Sequence, residues 1–199
     1  MLSTTVLRSS LTLAAVLAGT ALAPMATAAP VTYAFDTVHS RVSFHVSHLG
    51  FSHSLGQLVI SPGSFVFDTD DWSKGAVTAT MAADSLTFGD AKWDAHVKSA
   101  DFLDAAKFPT ITFTATQVTK TGENSGTLTG DLTLHGVTKS VTLALRLNRT
   151  GPHPMRKVPA IGFTATGTVK RSEFGVAAYV PMVGDDLEVR IEVEAAQAP

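Results

Sequence analysis

Beyond residue 30 the chain alternates between apolar and polar positions. Val42, Phe44 and Val46 sit between Arg41, Ser43, His45 and Ser47. The same period of two recurs in Val77, Ala79 and Met81, in Ile111, Phe113 and Ala115, and in Leu128, Leu132 and Leu134. It returns in Val141, Leu143, Leu145 and Leu147, in Phe163, Ala165 and Val169, and in Leu187, Val189, Ile191 and Val193. Alternation of this kind buries one face of a strand and wets the other, which predicts antiparallel sheet. The 21 threonines after Ala29 suit half-buried strands.

Punctuation between these runs predicts hairpins. Pro62-Gly63 separates Leu55–Ile60 from Ser64–Phe67, Gly122 to Gly126 separates two further strands, and His135-Gly136 begins another turn. The pattern counts about eight or nine strands of roughly five to ten residues. One helix interrupts them: Asp90 caps a segment running to Ser99, with Trp93 and Val97 four apart on one face. Asp101–Phe108 predicts one more helical turn before Pro109. Arg149–Pro159 holds three prolines and reads as a loop. Many alternating strands with little helix predict an all-β fold, a sandwich or a barrel. A single antiparallel barrel of about eight strands is favoured, because closure removes exposed edges and no strand carries an edge-blocking run of Lys or Pro. Ala79, Ala115, Gly130, Ala165 and Gly167 fall on the inward face. They either leave a cavity between the aromatics or allow the strands to coil sharply.

Residues 1–28 read differently. Arg8 is their one charge, Leu11–Leu22 is an apolar run, and Ala26-Thr27-Ala28 offers a small-x-small cleavage site. This is the pattern of a secretory signal peptide. The run is too short for a transmembrane span and ends at Pro24. Residues 29–199 are then one secreted domain, expected in a bacterial periplasm. With 15 Lys+Arg against 17 Asp+Glu and no basic run, a nucleic acid partner is excluded. The absence of cysteine excludes disulfides, thiolate metal sites and a Cys nucleophile.

Candidate chemistry is sparse. His39, His45, His48 and His53 cluster in sequence and support an alternative reading as a histidine-dependent metal protein. However, His48 shares the inward parity of Phe44 while His45 points outward, and no HExxH spacing occurs. No G-x-S-x-G elbow is present. Most acids lie at strand ends, in loops or on outward positions, and Asp84 and Asp90 read as turn and cap residues. No catalytic residue and no metal ligand is assigned. Arg171 breaks the pattern by continuing the inward parity of Phe163, Ala165, Gly167 and Val169. A buried guanidinium needs partners. It either closes the barrel end on carbonyls or a carboxylate, or meets a ligand head group.

Several motifs then align in order. They are Asp36-x-x-His39-Ser40 with Val42-x-Phe44 and His48-Leu49-Gly50, and Ser99-Ala100-Asp101-Phe102 before Phe108-Pro109-Thr110. Gly130 to Lys139 (GDLTLHGVTK), Arg171-Ser172-x-Phe174-Gly175 and Val183-Gly184-Asp185 follow. With these, Val31–Ala195 resembles the YceI-like family of lipid- and polyisoprenoid-binding domains. The resemblance implies a lipocalin-like barrel with a long apolar tunnel, flanked by the Asp90–Ser99 helix and the Asp101–Phe108 turn. It implies non-catalytic binding of a long-chain amphipathic lipid: a polyisoprenoid, an isoprenoid quinone, or a fatty acid or its amide. Leu103-Asp104 departs from the aromatic often found after Phe102, which bears on pocket length. Phe44, Phe65, Phe67, Met81, Phe113, Leu132 and Phe163 would line such a tunnel, or else fill a solid core. His48, Trp93, Phe102, Arg171 and Phe174 complete the candidate ligand-binding set. No cofactor is expected beyond a bound isoprenoid or acyl-chain lipid, and a homodimer stays open. A third reading is a stress-response or structural barrel whose bound lipid is incidental.

Overall fold

In the computed structural model the alternating runs form ten strands, each antiparallel to its neighbours. The structure describes Met1 and residues 29–199. The signal peptide expected over residues 1–28 lies, apart from Met1, outside the described residues. In chain order the strands are β1 (Val31–Phe35), β2 (Arg41–His48), β3 (Ser52–Val59), β4 (Ser64–Phe67) and β5 (Ala76–Ala82), then β6 (Thr110–Lys120), β7 (Ser125–Leu134), β8 (Val137–Pro152), β9 (Pro159–Lys170) and β10 (Asp186–Gln197). One α-helix, α1 (Ala91–Lys98), lies between β5 and β6. Short 3₁₀ turns cover Trp72–Lys74, Ala83–Ser85 and Arg171–Phe174.

The ten strands make a closed barrel of eight staves. β10 pairs with β2 through Glu188–Glu192 and with β1 through Ala195–Gln197, so β1 and β2 are two halves of one stave. β3 pairs with β2 and β4 with β1, which makes β3 and β4 the next stave. Single strands β5 to β10 supply the other six, and the β1–β10 pairing shuts the ring. Closure through β1 and β10 leaves β3 as the one free edge among the described strands: it ladders with β2 on one side and meets the rest of the barrel on the other only through isolated bridges, Gln57 to Thr87 and Ile60 to Met81.

Each broken stave has a local cause. In Asp36-x-x-His39-Ser40 the Asp36 carboxylate accepts from the Val38 and His39 amides at 3.0 and 3.2 Å, folding the chain out of the ladder. Ser40 is fully buried; its hydroxyl donates to the Glu194 carbonyl and accepts from the Glu194 amide, both at 3.1 Å, filling the missing rung on β10. Pro62-Gly63, expected as a hairpin turn, is instead a kink. Proline offers no ladder N–H, so the strand breaks there and continues along the same stave as β4. The other two turns behave as read: His135 (φ 52°) and Gly136 (φ 74°) form a two-residue hairpin between β7 and β8, and residues 121–124 link β6 to β7.

Three further expectations are corrected. Arg149–Pro159 is not all loop: β8 runs to Pro152 and β9 starts at Pro159, leaving six residues between them. Prolines are tolerated there because the pair Pro152 and Pro159 sits at the frayed tip of the hairpin. Asp101–Phe108 forms successive turns rather than a helix, because Asp104 adopts a left-handed φ of 47°. β8 reaches 16 residues, beyond the expected length. Bulges at Ala115/Gln117 and Leu147/Arg149 interrupt the period of two, so that Val118, not Gln117, returns to the core.

Candidate ligand-binding site

The register aligns the inward residues in layers. Phe163 lies beside Val193; Ala165 beside Ile191, Val42 and Leu58; Gly167 beside Val189, Phe44 and Gly56; Ala79 beside Phe113 and Leu132. These layers do not meet in the middle. They enclose a cavity of about 490 Å³, within the range of small-molecule sites. One end is shut by aromatic packing: Phe67 lies 4.9 Å from Phe163 and 5.4 Å from Trp72, and Phe65 lies 5.2 Å from Phe35.

The small inward residues divide between the two roles. Ala79 and Ala165 front the cavity. Gly56, Gly130 and Gly167 instead make room for neighbours: a Cβ there would lie within the Phe44 ring, the Phe113 ring and the Leu143 side chain respectively. The glycines let these bulky groups lie flat on the adjacent strand, narrowing the bore without filling it.

At the other end α1 lies across the opening. Asp90 caps it, accepting from the Lys92 and Trp93 amides at 3.0 and 2.9 Å. Asp94 ties the helix to the barrel by accepting from Thr87 Oγ1 and the Phe88 amide, both at 2.6 Å. These bonds, the Phe88 amide first, hold its carboxyl below the ordinary range. Trp93 stacks on Phe88 at 4.8 Å, and Phe88 meets Phe44 edge-on at 5.7 Å. Across the opening, Phe102 packs against His96 at 5.1 Å and Tyr179 at 5.7 Å. Leu49, Tyr179 and Met182 border the cavity yet are half exposed, and so mark its mouth.

Eleven of the twelve candidate residues border this cavity. Phe65, Phe67 and Phe163 stand at its closed end; Phe44, Met81, Phe113 and Leu132 form its flanks; His48, Trp93, Phe102 and Arg171 lie toward the mouth. Phe174 does not face it. It is 1% exposed, packed in the core beneath the 3₁₀ turn, and its carbonyl meets His135 Nδ1 at 3.1 Å.

Arg171 serves as a clamp. Its Nε donates to the Gly184 carbonyl at 2.8 Å, one terminal nitrogen to Val176 at 2.7 Å, and the other to Ala178 at 2.9 Å and Val183 at 2.8 Å. Asp185 accepts from the Ser172 amide and hydroxyl at 2.9 and 2.8 Å. The motifs around Arg171 and Asp185 thus build one loop, residues 171–185, which forms part of the mouth. Four of the five guanidinium donors are consumed within the chain, so the arrangement favours closing the barrel end over gripping a head group.

The four clustered histidines do not assemble a metal site. His45 points outward, His53 is exposed, His48 faces Trp93, and His39 bonds Asp36 at 3.1 Å. Among the described residues Asp36, His39 and Glu194 bring candidate ligand atoms within 4.8 Å of one another. Arg156, 2.6 Å from Asp36 Oδ2, already places a cation there. Strand parity separates the other histidines, as period-two geometry requires.

The polar groups on the wall are few: Ser54, His48, His96 and Tyr179 near the mouth, and the spent Arg171. Sequence reasoning missed Phe88, Tyr179 and Met182, from segments without periodicity, and His96, which lies three residues after Trp93 on the expected helix. No pattern pointed to Phe88. Such a site can exclude water around an apolar chain and leave a polar end at the rim.

Comparison with known proteins agrees with this architecture. A family model described as the YceI-like domain matches residues 33–195. Protein YceI of Salmonella arizonae is 38% identical over 159 residues, covering 80% of this chain and 82% of that protein, and the Salmonella paratyphi B protein matches equally. A Campylobacter jejuni YceI protein superposes with a TM-score of 0.65 at 29% identity, over 77% of this chain and 90% of that one. Burkholderia cenocepacia BcnA shares the fold, with a TM-score of 0.72 at 22% identity over 81% of this chain and 99% of that one. So does a domain from Saccharophagus degradans described as polyisoprenoid-binding, with a TM-score of 0.65 at 15% identity over 84% and 99%. On the matched span and the curated relatives, the chain belongs to the YceI-like family.

Proposed function

We propose that this protein binds and carries a long-chain amphipathic lipid, a polyisoprenoid, isoprenoid quinone, or fatty acid or amide, without chemically altering it. The apolar cavity inside the closed barrel carries the reading. Each methylene buried there contributes roughly 0.8 kcal/mol before ordering costs. The chain lies along Phe44, Met81, Phe113 and Leu132, and the polar end stays near His48, Ser54, His96 and Tyr179. The Saccharophagus degradans neighbour described as polyisoprenoid-binding supports the same class of ligand. The short apolar run Leu11–Leu22, followed by the cleavage site Ala26-Thr27-Ala28, supports delivery to the periplasm, testable by cell fractionation.

The experiment is extraction of the purified protein with organic solvent and mass spectrometry of the extract, followed by loading the stripped protein with ubiquinone or a fatty acid. Phe113→Arg, which puts a guanidinium into the bore, is expected to reduce loading at least about tenfold. Thr112→Arg, on the opposite face of β6, is expected to leave loading near wild type. Recovery of no lipid together with no loading, or equal effects of the two substitutions, would overturn the reading.

A further inference from the structure

Two loops at the cavity mouth present apolar side chains that the barrel leaves uncovered. Phe51 is 91% exposed and Met182 59%. Leu49, Tyr179 and Val180 beside them are also exposed. The loops are joined, with the Leu49 amide donating to the Met182 carbonyl at 2.9 Å and the Gly184 amide to the Ser47 carbonyl at 2.8 Å. Because Leu49, Tyr179 and Met182 also border the cavity, the outer patch and the bore form one apolar path.

The two segments that carry the patch hold no ionised side chain; the charges of the 171–185 loop, Arg171, Glu173 and Asp185, lie at its two ends. No Asp, Glu, Lys or Arg occurs from Val42 to Phe67 or from Phe174 to Gly184. Isolated exposed apolar residues are ordinary on a soluble protein. A continuous patch of them on two charge-free segments, at the opening of an apolar bore, is not. Protein interfaces carry a polar rim, whereas a hydrocarbon boundary penalises every charge brought to it. A chain ligand leaving through water would slow about fourfold for each methylene exposed.

We propose that this patch docks on the surface of a lipid bilayer, with Phe51 and Val180 entering the boundary between head groups and acyl chains. The ligand then passes between bilayer and cavity without crossing water. The inference rests on the lipid-binding reading above. Since these segments bring no charge, docking depends on apolar area and is indifferent to salt and to anionic lipid.

Flotation with phosphatidylcholine vesicles tests it. The purified protein is expected to float equally at about 20 mM and about 500 mM salt, a range across which surface charges pass from strongly felt to largely screened. Phe51→Asp with Val180→Asp is expected to lower flotation about tenfold or more, and Ala144→Asp, on the exposed outer face of β8, to leave it unchanged. A fluorescent fatty acid added from solution separates this from the cavity reading. The double variant should bind that probe as wild type does, yet take it more slowly from vesicles. If wild type binds no probe, the cavity reading fails and the docking has no cargo. If the probe binds but flotation is absent, or equal in the double variant, docking alone is overturned. Salt-sensitive flotation confined to anionic vesicles would overturn apolar insertion. A dimer that the double variant dissociates would assign the patch to a second copy and overturn the proposal.

Discussion

Asp36 shows how a single motif residue supports the barrel. The His39 ring, the His39 and Val38 amides and Arg156 all favour its ionised form, outweighing burial, and lower its pKa from 3.8 to about 2. A carboxyl depressed in the folded state contributes stability above its unfolded pKa and loses it as the pH falls through the folded value. Thermal melts of wild type and Asp36→Asn should therefore differ fully at neutral pH, converge from about pH 4 downward, and coincide only near pH 1, below the folded pKa. An undiminished difference at about pH 1 would assign the effect to packing instead. Arg171 acts by shape as well as charge. Arg171→Leu removes the donor from four carbonyls in the 176–184 loop, and should lower unfolding stability by about 3 kcal/mol or more. Hydrogen exchange should show residues 176–184 opening first. Arg171→Lys should not restore them, because one ammonium lacks the planar fork.

Among the elements, the inward glycines decide how closely the staves approach. A side chain at Gly130 would meet both the Phe113 ring and the Thr114 carbonyl, and the backbone oxygen cannot swing aside. At Gly56 the three nearest atoms all belong to the Phe44 ring, which can turn into the bore. Gly130→Ala should therefore cost about 2 kcal/mol, near the middle of the range for overpacking, and Gly56→Ala less. The Gly56 variant should bind less ligand, since Phe44 would occupy its space. Urea unfolding paired with lipid recovery checks both. The broken staves follow the same logic: Asp36 and Pro62-Gly63 end a strand, and the closed ring resumes it in line.

At the scale of the whole molecule, ring closure secures the fold while the cavity gives up part of the core. A ligand that binds only the folded barrel returns some of that stability by mass action. At about 100 times its Kd it should add roughly 2.7 kcal/mol, raising Tm by roughly 5–10 °C in a domain of this size. Differential scanning fluorimetry with added fatty acid should show the rise in wild type and its loss in Phe113→Arg. Among the described residues no helix is long and apolar enough to cross a membrane.

Alternation alone determined which side chains face inward, because a strand has a period of two and one face must be dry. The eight strand candidates and Arg171 consequently border the cavity; Trp93 and Phe102 reach it from α1 and the turn after it, and Phe174, taken from its motif, does not. The Asp90 cap and the His135-Gly136 turn were equally local, each set by a few adjacent residues. Tertiary structure decided the rest. Whether the inward residues would enclose a cavity or fill the core depended on distances across the ring, which no single strand encodes. Arg171 could have gripped a ligand until the 171–185 loop surrounded it. Pro62-Gly63 could have turned the chain back, but pairing of β3 and β4 with successive halves of the neighbouring stave kept it straight. Local sequence set direction and parity, and long-range closure set what those directions met.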